Sequence, residues 1–555
     1  MTVCIQYSRP SSGNNESEVF GLDVAITNFL SAYFRYGTQD KFFCSPTDIS
    51  SFDSFKALAH AANIDSETRC IGLDPRYPQH NLNHIKCLFR PDPLIADFGW
   101  KRQQVKGSGY SACGLVHTMS GERIARAVGD LCIAPMTSSD ALICPSESIR
   151  DAVQNLWQIY SEYLNFHFGG SYRCPILTPV IPLGIDTDKI SQKTSPTLRK
   201  IQREALGITD DEIVILFVGR LSFATKAHPL PLFMAAEKAA QRTKIKIRLL
   251  MFGYFKPKDM ESHFRSLAQE FIHTLTVDFV SNEDPRFPQG LWASADIFTS
   301  LSDNIQESFG LTPIEAMACG IPSVITNWNG YREGVRHEVD GFLIPTITPP
   351  STAGMAIAEA YYNEENYGVS LVGASQSTAI DIDRCAEAFV LLAEDSNKRR
   401  LFSENSRKRA RDTFDWKHII HSYEELWQQL AEQRQAAPPL PMIPRQWQAA
   451  HPSYPNPWQM FKSFPSRTLA LEDRIQVVMS KEDIQIVLNH EINLFLPNLL
   501  VAKEFMIDLV EAIRNSPSPP AIKDIIATFP VAQQDRILRC LGWMLKHGAC
   551  NLMSL

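Results

Sequence analysis

Short apolar runs alternate with longer stretches of helical periodicity from residue 1 to residue 435. The runs Val3–Gln6, Ile85–Phe89, Gly114–His117, Ala141–Cys144 and Pro179–Ile181 predict a first set of strands. A second set is predicted at Ile213–Val218, Ile245–Met251, Thr276–Val280, Asp296–Thr299 and Ser323–Thr326. Helical patterns such as Ser146–Tyr163 and Pro229–Gln241 lie between them. Alternating strand and helix predicts parallel sheets with crossover helices. Two such series predict two α/β domains, 1–182 and 183–435, with a hinge near Pro182-Leu183-Gly184. The second closes with a helix over Trp416–Gln433, rich in aromatics and leucine.

The pattern then breaks. Residues 438–465 hold eight prolines together with Trp447 and Trp458, so 436–465 reads as a semi-rigid linker. Docking of its aromatics on a neighbouring surface is the alternative. Beyond it, Ile537, Leu538, Leu541 and Leu545 fall at helical spacing. Residues 466–555 are therefore expected to form a small, mainly helical domain of unknown role, whose helix–Gly548–apolar tail could suit a winged-helix-like unit.

Composition narrows the class. A chain of 555 residues with 44% hydrophobic and 21% charged residues is ordinary for a globular protein of three or four domains. The net charge of −7 gives no basic footprint, so no nucleic-acid partner is expected. The 12 cysteines show neither CxxC pairs nor zinc-ligand spacing, which suits reduced thiols in a cytoplasmic protein. The opening MTVCIQYSRP lacks a basic and apolar leader, and no run of about 18 apolar residues could span a bilayer. Peripheral contact with the inner face of a membrane stays open on this reading.

The stretch richest in chemistry is Glu307-Ser-Phe-Gly-Leu-Thr-Pro-Ile-Glu315. Gly310 permits close backbone approach, and Pro313 favours a first helical position. That places Glu307 on a loop and Glu315 in the first turn of a helix. Free N–H groups at such a turn suit a diphosphate. Taken alone, Thr312 and Glu315 equally read as a T-x-x-E capping box, and Glu307 as a solvated loop acid.

The whole string ESFGLTPIEAMACGIPSV, residues 307–324, resembles the E-x7-E signature of family 4 glycosyltransferases with the GT-B fold. Three further segments resemble that family in the same order: VIPLGIDTDKI (180–190), FVGRLSFATKAHP (217–229) and YREGVRHEVDGFLIP (331–345). The resemblance is strong over 180–435, weaker over 1–180, and absent beyond. It implies two Rossmann-like domains facing across a cleft. It implies that Glu307 contacts hydroxyls of the transferred sugar and Glu315 the ribose. Phe309, Gly310, Leu311 and Thr312 would offer backbone N–H groups to sugar and phosphate. Arg220 and Lys226 would neutralise the departing diphosphate, the charge that grows in the transition state. The Arg-to-Lys spacing is one residue longer than the commoner family pattern. GLVHTMSGER (114–123) resembles the strand ending in a histidine that reaches the donor sugar, here His117. Of the glycine pair relatives carry near the phosphate after the first strand, only Gly13 fits.

The resemblance thus implies retaining transfer of a hexose-type sugar from a nucleoside diphosphate sugar to an acceptor hydroxyl. Front-face departure and attack would leave the departing phosphate to take the acceptor's proton. No obligatory metal or other cofactor is expected, since Arg220 and Lys226 would serve instead. The acceptor could be a glycan, a lipid-linked group or a small molecule. A glycosyltransferase-like module that binds or regulates without catalysis is the alternative; the intact Glu307, Glu315, Arg220 and Lys226 argue against it. A nicotinamide oxidoreductase is disfavoured because the GxGxxA run at 107–112 precedes a strand rather than following one. Asp381-Ile-Asp383 resembles a metal-binding DxD but reads better as helix-start acids.

Overall fold

The computed structural model of the chain describes residues 2–9, 21–73, 84–103, 109–364, 367–438, 449–493 and 502–553. Contacts divide it into two units, Met1–Ile443 and Pro444–Leu555.

The larger unit contains two six-stranded parallel sheets. The first uses β1 (Val3–Tyr7), β2 (Phe42–Pro46), β3 (Cys70–Gly72), β4 (Cys87–Arg90), β5 (Ser111–Leu115) and β6 (Ala141–Ile143). Its spatial order is β3-β2-β1-β4-β5-β6. The second uses β7 (Glu212–Leu221), β8 (Lys246–Phe255), β9 (Thr276–Ser281), β10 (Ile297–Ser300), β11 (Ser323–Thr326) and β12 (Gly341–Ile344). Its order, β12-β11-β10-β7-β8-β9, is the same winding repeated. Both sheets are therefore doubly wound in Rossmann order, and in each the winding reverses between the first and fourth strands. Ligands of such sheets bind at that reversal, beyond the carboxyl ends of the strands. In the second sheet the reversal lies between β7 and β10, which pair Ile215 with Ile297 and Phe217 with Thr299.

Buried apolar runs account for the central strands. Val214, Ile215 and Leu216 of β7 and Leu249 and Leu250 of β8 are fully enclosed, as strands covered on both faces must be. The run Pro179–Ile181 forms no strand and makes only a single bridge, Val180 to Cys144. Its flanking prolines remove donors that a ladder would need. The strand expected at Gly114–His117 is shifted toward the N-terminus and ends at Leu115, which leaves His117 on the following loop. β2, β3 and β12 were not expected from the pattern.

The helix Trp416–Ala436 departs from the sequence-based division at 182/183. Trp416, Ile419, Ile420, Tyr423, Trp427 and Leu430 are buried in the core of the first sheet, with Val3, Ile5 and Phe89. Tyr423 meets Phe29 at 5.0 Å between ring centroids, and Trp427 meets Phe89 at 5.4 Å. The chain thus returns to the N-terminal half after completing the second. Its two crossings lie side by side: Ile185 N–H donates to Phe414 O at 2.9 Å and Trp416 N–H to Ile185 O at 3.1 Å. Gly184 is required there, because a Cβ would stand 2.4 Å from the Trp416 ring.

The smaller unit has its own apolar core, built on Ile475, Ile484, Leu488, Leu509, Ile537 and Leu541. Helices Lys481–Asn489, Lys503–Arg514, Ile522–Ala527 and Val531–Lys546 surround an antiparallel pair of strands, Arg474–Val477 and Cys550–Met553. Gly548, at φ 70°, turns the last helix into the closing strand.

All 12 cysteines are free thiols. Among the described residues no helix is long and apolar enough to cross a membrane.

Candidate functional site

Two loops leave the reversal point of the second sheet. One follows β7 and carries Lys226, with Arg220 at the end of the strand itself; the other follows β10 and carries Glu307. Adjacent parallel strands deliver these loops to one edge, so residues more than eighty apart in sequence meet. Lys226 Nζ lies 2.7 Å from Glu307 Oε2, with the Glu307 side chain only 11% exposed. Burial opposes ionisation of this carboxyl, but Lys226, the Ser308 N–H and Arg220 outweigh it and hold its pKa below the ordinary value. Glu307 is accordingly an ionised, enclosed acid rather than a solvated one.

Three consecutive side chains upstream of Glu307 grip the Lys226 loop. Ser302 Oγ donates to Lys226 O at 3.4 Å, His228 N–H donates to Asp303 Oδ2 at 3.2 Å, and Asn304 Nδ2 donates to Ala224 O at 2.7 Å. Asp303 is 2% exposed, and its other oxygen has no partner among the described residues. Burial raises its pKa to about 7, against the opposing hydrogen bond from His228. The pattern did not single these residues out, although Asp303 and Asn304 stand just ahead of Glu307.

The helix after Glu307 runs from Leu311 to Cys319, with Gly310 at φ 88° as its N-cap. Gly310 is obligatory twice over, since a Cβ there would also strike the Tyr331 ring at 2.1 Å. The expected capping box does not form: Thr312 lies inside the helix and no side chain caps its start. Pro313 is the third helical residue, where its missing N–H costs nothing. Glu315 therefore sits two residues deeper than expected, past the first turn. Burial raises its pKa, partly offset by Lys193. For the N–H groups of Gly310, Leu311 and Thr312 the described residues supply no acceptor. This is the positive end of a helix dipole, aimed from the same loop that presents Glu307. The Phe309 side chain is buried beside Phe414 and serves the core.

Tyr331 was also not anticipated. Its hydroxyl pairs with Ser300 Oγ at 2.9 Å and reaches Glu307 Oε2 at 3.5 Å.

From the N-terminal half, His117 lines an apolar cleft together with Leu311, Phe29, Gly184 and Trp416. Its Nε2 contacts Pro91 O at 2.9 Å. A carbonyl can only accept, so Nε2 carries the hydrogen and Nδ1 is left as an acceptor. Burial lowers the His117 pKa despite that carbonyl and Asp92, so the ring is neutral near pH 7. Gly13 lies outside the described residues.

The alternative motifs resolve as structure. Asp381 caps the helix Ile382–Glu394 by accepting from Arg384 N–H, and Asp383 pairs with Lys238 and Arg242. Ser111, the fifth residue of the GxGxxA run, opens β5, so that run leads into a strand. Among the described residues no three His, Cys, Asp or Glu side chains converge as a metal site would require.

A doubly wound pair of domains, with a helix start, two cations and an enclosed acid at one reversal point, is the GT-B architecture. Residues 199–367 match the family model described as "Glycosyl transferases group 1". The chain is 31% identical over 199 residues to a D-inositol 3-phosphate glycosyltransferase of Geodermatophilus obscurus, covering 34% of this chain and 40% of the relative. It is 31% identical over 197 residues to a putative glycosyltransferase, YtcC, of Bacillus subtilis, covering 34% and 47%. The chain thus spans under half the length of these curated relatives. The crystal structure of Anabaena HepE in complex with UDP shares the fold, with TM-score 0.50 and 18% identity over 77% of this chain and all of that one.

Proposed function

We propose that this chain is a retaining glycosyltransferase of family 4, moving a hexose-type sugar from a nucleoside diphosphate sugar to an acceptor hydroxyl. The observation that carries the reading is the Lys226–Glu307 pair, placed beside the unpartnered N–H groups of Gly310, Leu311 and Thr312. A diphosphate fits the helix start and the two cations, and a sugar fits the carboxylate. Arg220 and Lys226 stabilise the leaving diphosphate as the bond from its oxygen to the anomeric carbon breaks. The acceptor oxygen bonds to that carbon on the same face, and its proton passes to the departing phosphate. Glu307 accepts hydrogen bonds from sugar hydroxyls, His117 Nδ1 accepts another from across the cleft, and Glu315 reaches the ribose. Lys226 is released from Glu307 toward phosphate when donor enters. The site is expected to work without an obligatory metal, in the cytoplasm or at the inner face of a membrane. The acceptor is a glycan, a lipid-linked group or a small molecule.

A panel of UDP-, GDP- and ADP-sugars, read by the shift in melting temperature, tests this. One donor should raise the transition, and that donor should be hydrolysed slowly without acceptor. No shift from any of them, or binding without turnover under any acceptor, would overturn the enzymatic reading.

A further inference from the structure

Three successive backbone carbonyls around Glu307 are each held by a side-chain donor. Asn329 Nδ2 donates to Glu307 O at 2.7 Å from within the half built on the second sheet. The other two donors come from the opposite half: Thr118 Oγ1 to Gln306 O at 3.2 Å, and Ser146 Oγ to Ser308 O at 2.9 Å. Thr118 directly follows His117. Ser146 caps the long helix Glu147–Phe168 by accepting from Ile149 N–H at 3.2 Å. A second link reinforces that end: Glu333 Oε2 accepts from Glu147 N–H at 2.8 Å and Oε1 from Ser148 N–H at 3.3 Å.

From this arrangement we infer that Thr118 and Ser146 are positioning residues for Glu307. They fix the plane of the peptides on either side of it, so the carboxylate is aimed only while the two halves are engaged. The reasoning is geometric. Glu307 sits on a loop, and a loop of ten residues between strand and helix has no ladder of its own to set its path. Holding the carbonyls of residues 306, 307 and 308 fixes the peptide planes about Glu307 and so the direction of its side chain. A misplacement of about 1 Å at such a group costs on the order of a hundredfold in rate. Thr118 and Ser146 therefore contribute to handling the donor through main-chain hydrogen bonds, without touching it. This consequence rests on the glycosyltransferase reading, whereas the hold on the loop does not.

Two measurements separate the two. In the unliganded full chain, Thr118→Val should speed hydrogen exchange of the amides at 305–310, leaving those of β7 and β8 unchanged. Thr118→Ser, which keeps the hydroxyl, should restore protection. Ser146→Thr should behave as wild type, and Ser146→Ala should speed exchange over the same segment. Unchanged exchange at 305–310 in both Thr118→Val and Ser146→Ala overturns the proposal, whatever the protein's activity. With UDP-glucose as the probe, Thr118→Val should lower kcat about three- to tenfold with KM within about twofold, the scale of one hydrogen bond. Thr118→Ser should recover it. A rise in KM at constant kcat would also overturn the positioning role. A wild-type chain that neither binds nor turns over UDP-glucose counts against UDP-glucose as donor, while the exchange result still decides the hold.

Discussion

Lys226 Nζ and Glu307 Oε2 meet at 2.7 Å across two loops that leave neighbouring strands, and each restrains the other. A solvated loop acid could be neutralised without cost to the fold. The pair makes that unsafe. Glu307→Gln should lower stability by about 1–3 kcal/mol, the scale for a lost charge-assisted hydrogen bond. Because the folded pKa of Glu307 is depressed, its contribution is present above the ordinary carboxylate range and fades as pH falls through the folded value. Urea midpoints at pH 7 and pH 3 should therefore differ less in the variant than in wild type. Equal pH dependence in both proteins would deny the pairing.

Arg220 forms no ion pair among the described residues and is available to a ligand's charge. Arg220→Ala should leave the urea midpoint near wild type and cut turnover by about 10²–10³, the effect of losing one preorganised electrostatic donor. Activity within threefold of wild type would move this role elsewhere.

Glu315 is not a cap, so its replacement should spare the helix. Its folded pKa is raised by burial, so its contribution is full below the ordinary carboxylate value and is lost as pH rises through the folded value. Glu315→Gln should therefore be as stable as wild type at pH 5 and at least as stable at pH 8. Its affinity for UDP, measured by calorimetry, should fall about ten- to a hundredfold if the carboxylate binds ribose. Unchanged affinity would remove Glu315 from the donor site.

Asp303 accepts from His228 N–H, while its second oxygen is buried without a partner among the described residues. With its pKa raised to about 7, the protonated acid is the stabilising form, and that contribution is lost as pH rises through about 7. Asp303→Asn keeps an acceptor and carries no charge. It should gain on the order of 1–2 kcal/mol over wild type at pH 8 relative to pH 5, read from urea midpoints. A difference that is the same at both pH values would show that Asp303 does not titrate there.

The smaller unit has its own core, centred on Ile475, Ile537 and Leu541. A fragment ending at residue 438 should fold and keep a cooperative melting transition. Limited proteolysis of the full chain should first cut between 436 and 465. An aggregating fragment, or a first cut inside 1–435, would make the smaller unit necessary to the larger.

The alternation of apolar runs with helical periodicity determined the two doubly wound halves, because strands buried on both faces must be continuous in Val, Ile and Leu. β7, β8 and β10 were legible for that reason, and Gly310 and Glu307 were legible through the motif that contains them. Local pattern does not encode partners far along the chain. It could not place Trp416–Ala436 on the first sheet, because an apolar helix face does not specify which sheet will cover it. It offered a capping box at Thr312, because a short T-x-x-E string does not show that the helix starts two residues earlier, at the left-handed Gly310. The grip of Ser302, Asp303 and Asn304 on the Lys226 loop, and of Thr118 and Ser146 on the carbonyls beside Glu307, joins residues 75 to 188 positions apart in sequence. Such hydrogen bonds are decided when strand order brings loop ends together, which is a property of the tertiary fold and not of any window of sequence.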